Sequence, residues 1–219
     1  MRPLKNSRDS ARGLRSLCLH ETNPSLLDAR KGEEMNSQAV RDFVMSAASG
    51  DVPRMLDAIY DGGLDYREGW PRAMRAVSRF KSVPSSIRET FLRVYIREGD
   101  HIRLQCDDLA LADGLRVLLP RYRGPARRLY RGESFRNRCR RTYGLSWSAS
   151  RDVARQFANR YYRSSDGGSV LLEGFASRSA IICAPALIDD RYGEEEFIVD
   201  RRRLSAVRVA ERFAQDAAA

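Results

Sequence analysis

The chain has 219 residues, of which 42% are hydrophobic, enough for one large domain or for a compact domain with a helical extension. Its formal charge is +10 and arginine supplies 36 of its 39 basic residues, which favours a partner that carries phosphates or carboxylates. No apolar run approaches the ~20 residues that a membrane-spanning helix needs. The four cysteines are scattered without a CxxC pair, so we expect reduced thiols in a cytoplasmic protein and neither a zinc site nor a disulfide framework.

Residues 1–34 form a polar segment that is rich in Arg and Ser and poor in acids before Glu21. This composition is similar to that of a transit peptide, but the segment lacks the apolar stretch of a secretion signal. Residues 31–34 would be encoded by purine-rich codons, as in a bacterial ribosome-binding site. Our hypothesis is that residues 1–34 are flexible and lie upstream of the true start at Met35.

Five amphipathic helices are predicted over residues 35–122, because apolar side chains recur there at helical spacing. Ser37 and Asp51 are suited to cap helices, and Ser86 with Glu89 has the spacing of a capping box. The expected limits are Ser37 to Gly50, Asp51 to Gly62 or Gly63, Trp70 to Phe80, Ser86 to Gly99 and Asp107 to Pro120. Stripes of this kind are typical of a core, so this region is predicted to be all-helical.

After Pro120 the pattern changes to short apolar runs separated by Gly, Ser and Asp, which is typical of strands. A short helix is predicted over residues 151–159. The predicted strands are Arg128 to Arg131, Tyr143 to Ser148, Ser169 to Phe175, Ala180 to Cys183, Glu195 to Asp200 and Ala206 to Ala210. Because helices and strands occupy separate halves, the fold class is α+β, with residues 123–219 as a mainly β core.

Arg131 ends the first of these strands, within the sequence LYRG of residues 129–132. Its planar guanidinium group suits a phosphate, and Gly132 next to it would let the backbone approach that phosphate closely. About one residue in six of this chain is arginine, so an ordinary surface arginine is the alternative interpretation.

Ser146 and Ser148 flank Trp147 in the sequence SWS. On a strand the two hydroxyl groups share one face, while Leu145 and Trp147 face the other. The pattern indicates either a cleft lined by hydroxyl groups or an edge strand whose serines point to solvent.

Glu194, Glu195 and Glu196 precede the apolar run Phe197 to Val199. Three adjacent glutamates are most often a solvated turn. The strand after them opposes that interpretation, because its alternation puts Glu194 and Glu196 on one face. Two neighbouring carboxylates can take distinct chemical tasks.

The order of these three motifs on predicted strands resembles the arginine–serine–glutamate class of ADP-ribosyltransferase folds. SWSASRDVARQFA, residues 146–158, is similar to the second motif and its helix, with Trp147 where threonine is usual. The resemblance covers the chain from residue 129 to its end. It implies a split-sheet core that binds NAD as a substrate and breaks its nicotinamide–ribose bond without a metal.

The resemblance also implies roles for individual residues. Arg131 would grip the phosphate and ribose of NAD, and Ser146 would orient the ribose and the catalytic glutamate, with Ser148 as an open alternative. Glu196 would hold the ribose 2′-hydroxyl and stabilise the oxocarbenium ion. Glu194 would position or deprotonate the acceptor, and a glutamate at this position is associated in the family with arginine acceptors.

The resemblance also implies that one loop binds NAD and that another binds the acceptor. The family folds a loop over nicotinamide and phosphate at a place that corresponds to residues 159–168, where the candidates are Tyr161, Tyr162 and Arg163. It recognises its target with the loop that corresponds to residues 184–193, where Tyr192 is the candidate for acceptor contact.

The function expected from these observations is mono-ADP-ribosyl transfer by a cytoplasmic protein of a bacterium or phage, acting as a toxin or effector. The expected partners are NAD, a protein acceptor before a nucleic acid, and an antitoxin or inhibitor. One alternative is an NAD glycohydrolase. Another is a non-catalytic, arginine-rich module that binds nucleic acid. The spread of arginines over both halves and the paired glutamates favour the enzyme.

Overall fold

The computed structural model describes residues 26–61, 63–66, 68–161, 164–188 and 193–215. Helices come first and an antiparallel sheet follows, so the α+β class is confirmed. In the described part of the chain, no helix combines the length and the apolar character that crossing a membrane would require. Gly62, one of the predicted helix ends, lies outside the described residues.

Within the described residues, five helices precede the sheet, and we call them the helical region. Their limits are α1 (Leu26–Ser49), α2 (Val52–Tyr60), α3 (Gly69–Val77), α4 (Ser85–Gln105) and α5 (Asp108–Leu118). Two of the caps are short acidic side chains, of which Asp51 was predicted. Asp51 accepts a hydrogen bond of 3.2 Å from the backbone N–H of Arg54, and Asp107 accepts one of 2.8 Å from that of Ala110.

The first helix begins earlier than the capping pattern predicted. Ser37 and Met35 both lie inside α1, which already starts at Leu26. Residues 26–34 are mostly good helix formers such as Leu, Ala, Arg, Lys and Glu, so the helix extends through them. The predicted end is confirmed, because Gly50 follows the helix with a φ of +86°.

The fourth helix differs from its prediction at both ends. Pro84 is its N-cap and no side chain caps it, so the capping box of Ser86 is not formed. The helix also continues through Gly99, the predicted end, to Gln105. Ile102 is fully buried in the core of the helical region. Packing of this later turn outweighs the cost of a glycine inside the helix.

The strands and two further α-helices of the described residues belong to what we call the β region, residues 127–213. Its elements are β1 (Arg127–Ser134), α6 (Phe135–Arg140), β2 (Ser146–Ser148), α7 (Arg151–Tyr161), β3 (Ser169–Ala176), β4 (Ile181–Cys183), β5 (Glu196–Val199) and β6 (Leu204–Phe213). Helix α6 was not predicted. Its N-cap is Ser134, whose hydroxyl accepts a hydrogen bond of 3.1 Å from the backbone N–H of Asn137.

The six strands are hydrogen-bonded in the order β4-β5-β2-β1-β3-β6, and every neighbouring pair is antiparallel. Strand β1 pairs with β3 along its whole length, whereas it pairs with β2 only at Tyr130 and Ser148. The structure therefore has one six-stranded sheet whose two three-stranded parts meet at a narrow junction.

The helical region and the sheet share one hydrophobic core. Its aromatic centre is Phe43, whose ring packs edge-on against those of Trp70 and Phe91. Strands β4 and β5 and the residue before β2 add Ile182, Cys183, Ile198 and Leu145 to this core. A second core on the other side of β2 and β5 contains side chains such as Trp147, Phe197, Leu129 and Leu172. The helices therefore cover one face of strands β4, β5 and β2. Strands β2 and β5 carry the second and third motifs.

A buried carboxylate joins the two regions at the end of β5. Asp200 is 1% exposed, and its Oδ2 lies 3.0 Å from a guanidinium nitrogen of Arg116 on α5. Its Oδ1 lies 2.8 Å from Nε of Arg202. Burial raises the pKa of Asp200, but hydrogen bonds from Arg202 and Arg116 outweigh this effect and lower it to about 2. The network anchors the strand that begins at Glu196.

Candidate active site

The three motif residues meet in one cleft. Arg131 on β1, Ser146 on β2 and Glu196 on β5 lie on strands that are neighbours in the sheet. All three line a cleft with a volume of about 220 Å³. Helix α4 also lines this cleft, with residues that include Tyr95, Gly99, Asp100 and Arg103. The antiparallel order of the sheet thus brings together residues that are far apart in the chain.

Glu196 is a half-buried carboxyl group whose pKa is raised above its ordinary value. Burial is the main cause, because it penalises the charged form. A hydrogen bond from the Ser146 side chain acts in the opposite direction, as does the charge of Arg131, while the carboxylates of Glu194 and Asp100 raise the pKa further. The structure therefore keeps an ionisable group in a poorly hydrated place beside other charges, a pattern that is common at functional sites.

The two serines of the second motif make different contacts. The Ser146 side chain hydrogen-bonds to Glu196. The Ser148 hydroxyl donates 2.8 Å to the carbonyl oxygen of Glu194 and accepts 2.9 Å from the backbone N–H of Ser150, which leads into α7. Between the two serines left open by the sequence, Ser146 contacts the Glu196 carboxyl and Ser148 holds the backbone around it.

Arg131 is held by a buried carboxylate that sequence reasoning missed. Its Nε donates 2.9 Å to Oε2 of Glu133, which is fully buried. Burial raises the pKa of Glu133, but the charge of Arg131 and several hydrogen bonds outweigh it, so the net shift is downward. The further donors to Glu133 are Ser134 N, Asn137 Nδ2 and Gly144 N. Alternation along β1 was the signal available, since Arg131 and Glu133 share one face of the strand.

Gly132 is required for a reason other than the predicted approach to phosphate. A side chain here would place its Cβ 2.5 Å from the carbonyl oxygen of Ala154 and closer still to the backbone nitrogen of Ala158. The glycine therefore allows α7 to pack directly on β1, although its backbone still lines the cleft. Contact with a phosphate is not needed to explain its identity.

Glu194 and Glu196 both line the cleft, but the predicted strand alternation is not what brings them there. Strand β5 begins only at Glu196, and Glu195 before it has a φ of +47°, in the left-handed region that non-glycine residues rarely adopt. The exposed Glu195 accepts a hydrogen bond of 3.0 Å at its carbonyl oxygen from the backbone N–H of Ala149. Backbone strain of this kind clusters at functional sites.

Helix α4 supplies cleft residues that sequence reasoning did not assign to the site. Tyr95, Gly99 and Arg103 follow one another at a spacing of four, so they share one face of the helix. The signal was that this face carries an aromatic residue, a glycine and an arginine in succession. It was missed because the helix was expected to end at Gly99. The remaining site candidates, Tyr162, Arg163, Tyr192 and the side chain of Tyr161, lie outside the described residues.

Among the described residues, no group of His, Cys, Asp and Glu side chains is arranged to hold a metal ion. Comparisons with protein-family models, with curated proteins and with solved structures found no match. A carboxyl group beside a hydroxyl group, with an arginine next to both, can stabilise positive charge that develops on a bound group and can bind an anion nearby.

Proposed function

We propose that this protein is a mono-ADP-ribosyltransferase that takes ADP-ribose from NAD and transfers it to a macromolecular acceptor. The observation that carries the proposal is the convergence of Arg131, Ser146 and Glu196 in one cleft. The resemblance in sequence concerned only motif order. In the fold the same three residues come from neighbouring strands and are linked by hydrogen bonds, which the motif order alone did not require.

The residues of the cleft fit the chemical groups of NAD. Breaking a bond between ribose and nitrogen develops positive charge on the ribose, as in glycoside cleavage. A carboxylate such as Glu196 stabilises that charge, and the hydroxyl group of Ser146 orients the carboxylate. Arg131 offers a guanidinium group to the diphosphate. NAD supplies the ADP-ribosyl group and the nicotinamide leaving group.

Glu194 is the group that we assign to the acceptor. It lies in the same cleft, and its charge contributes to the raised pKa of Glu196. A carboxylate there can hold a guanidinium group or accept a proton from it, so a protein arginine is the favoured acceptor. A toxin or effector that acts in bacterial cytoplasm is the setting in which we place this activity.

The test is incubation of the full chain with NAD labelled in its adenosine part and with a cell lysate. Nicotinamide release and label on macromolecules are measured together. The full chain is used because a start at Met35 would remove the first turns of α1. Glu196→Gln is the test variant, and Glu195→Gln is its matched control, since Glu195 is adjacent, exposed and does not line the cleft.

Label that depends on Glu196 and persists in the control variant supports the transferase. Nicotinamide release without label would instead indicate an NAD glycohydrolase. Absence of both, together with strong and steeply salt-dependent binding to duplex DNA or RNA, would contradict the proposal and favour the nucleic-acid-binding module.

A further inference from the structure

Two arginines from different regions of the chain approach the same point at Gly144. A side chain at this position would place its Cβ 2.5 Å from Nη2 of Arg131 and 2.9 Å from Nη1 of Arg103. Arg131 comes from β1 and Arg103 comes from the last turn of α4. Both line the cleft. A side chain at this position would displace both guanidinium groups, so the glycine lets the two lie close together.

Each of the two arginines forms an ion pair with a carboxylate. Arg103 donates from Nε to Oδ1 of Asp108 at 3.1 Å, and the other oxygen of Asp108 accepts from Arg201. Arg131 is held by the fully buried Glu133. Both arginines are therefore held in place by carboxylates while they line the cleft. An anion bound between the two guanidinium groups would be attracted by both.

We propose that Arg103 and Arg131 form a two-arginine site that binds the diphosphate of a dinucleotide. This inference rests on the proposed function and extends it, because it assigns a substrate-binding residue to the helical region. A diphosphate linkage carries two anionic groups side by side. One guanidinium group from the sheet and one from α4 can together bind these two anionic groups.

The position of the site agrees with the rest of the cleft. Gly144 lies two residues before Ser146, whose side chain contacts Glu196 on the neighbouring strand, so the anion site lies near the Glu196 carboxyl group. Glu133 accepts the backbone N–H of Gly144 at 3.2 Å, which fixes this glycine against the arginine that approaches it. The site therefore needs both the helical region and the β region, and neither would bind a dinucleotide fully by itself.

The inference is tested with Arg103→Gln and Arg103→Lys in the full chain. Binding of ADP-ribose, inorganic pyrophosphate and nicotinamide riboside is measured by titration calorimetry, and folding is checked by thermal unfolding. Arg75→Gln is the matched control, because Arg75 makes a similar ion pair of 2.7 Å with the neighbouring Asp107 but does not line the cleft. Asp108 keeps Arg201 as a partner in the Arg103 variants.

We expect Arg103→Gln to weaken ADP-ribose and pyrophosphate binding about tenfold to a hundredfold, as expected for the loss of a charge-assisted hydrogen bond. Binding of nicotinamide riboside, which has no phosphate, should not change. Arg103→Lys should restore part of the affinity because it keeps the charge. Arg75→Gln should bind like the wild type.

Three outcomes would overturn the inference or separate it from the proposed function. Equal ADP-ribose and pyrophosphate affinity in Arg103→Gln and wild type would overturn it, while NAD cleavage by the wild type would leave the proposed function intact. Equal losses for ADP-ribose and nicotinamide riboside would show a structural role and overturn it as well. Pyrophosphate binding that depends on Arg103 in a protein that does not cleave NAD would support the anion site and contradict the transferase.

Discussion

The guanidinium group of Arg131 on β1 donates a hydrogen bond of 2.5 Å from Nη1 to the backbone carbonyl oxygen of Ser146 on β2. The register between these strands pairs only Tyr130 with Ser148, so this side chain adds a link where the sheet has few backbone hydrogen bonds. The arginine that we assign to phosphate binding therefore also holds the two parts of the sheet together.

Replacing Arg131 should destabilise the fold as well as remove activity. Arg131→Met leaves the buried carboxylate of Glu133 without its cation, and breaking a buried ion pair costs about 3 kcal/mol or more. Urea unfolding at pH 7 measures this cost. The double variant Arg131→Met, Glu133→Gln should recover part of it, because the uncompensated charge is gone. A single variant as stable as the wild type would contradict the structural role.

Glu196→Gln should lose activity and gain stability at neutral pH. Loss of a positioned carboxylate should reduce nicotinamide release about a hundredfold. The pKa of Glu196 is raised in the fold, so its favourable contribution exists below the unfolded-state pKa and is lost as pH rises through the folded pKa. The free energy of unfolding should therefore be higher for the variant at pH 7, and the gain should shrink toward pH 4. Glu195→Gln should show neither effect.

Removing Glu194 should lower the pKa of Glu196 and should leave the part of Glu196 in NAD cleavage unchanged. The charge of Glu194 raises the pKa of Glu196, so Glu194→Gln should lower that pKa. If cleavage needs the ionised carboxylate, the acidic limb of the pH profile for nicotinamide release should move to lower pH. Hydrolysis of NAD should persist while transfer to the acceptor is lost. Equal loss of hydrolysis and transfer would contradict this division of tasks.

Asp200 should make the fold sensitive to acid. Its pKa is about 2 in the fold and 3.8 ordinarily, so it stabilises the protein above pH 4 and this contribution is lost as pH falls from about 4 to 2. Asp200→Asn should lower the free energy of unfolding at pH 7, as measured in urea. At pH 2.5 the difference in unfolding free energy between the variant and the wild type should be smaller. Asp113→Asn is the control, because Asp113 also pairs with Arg202 but is exposed.

Gly132→Ala should disturb the packing of α7 on β1. The added Cβ would collide with backbone atoms of Ala154 and Ala158, which cannot move without displacing the helix. Overpacking of this kind costs about 1 to 3 kcal/mol, and thermal unfolding would show it. Gly174→Ala in β3 is the control, because its nearest neighbours are side-chain atoms of Trp147 and Val207 at 3.3 Å, which can adjust more easily. Similar losses in both variants would argue against a special role for Gly132.

Local sequence signals were reliable where one or two neighbouring residues decide the structure. The caps of α2 and α5 were predictable because Asp51 and Asp107 accept hydrogen bonds from residues only three positions ahead. The division into helices and strands was predictable from the change in apolar spacing after Pro120. The same signals misplaced the end of α4, because the burial of Ile102 decides it and burial depends on residues far away in the chain.

The sequence by itself determined the α+β class, the elements that carry Arg131, Ser146 and Glu196, and the presence of hydroxyl and carboxyl groups on them, because these follow from local propensity and side-chain period. Only the tertiary structure decided that these residues share a cleft, that Glu133 holds Arg131, and that Arg103 from α4 faces them across Gly144. Such contacts depend on strand order and on the packing of helices against the sheet. Both are set by the burial of side chains that are far apart in the chain.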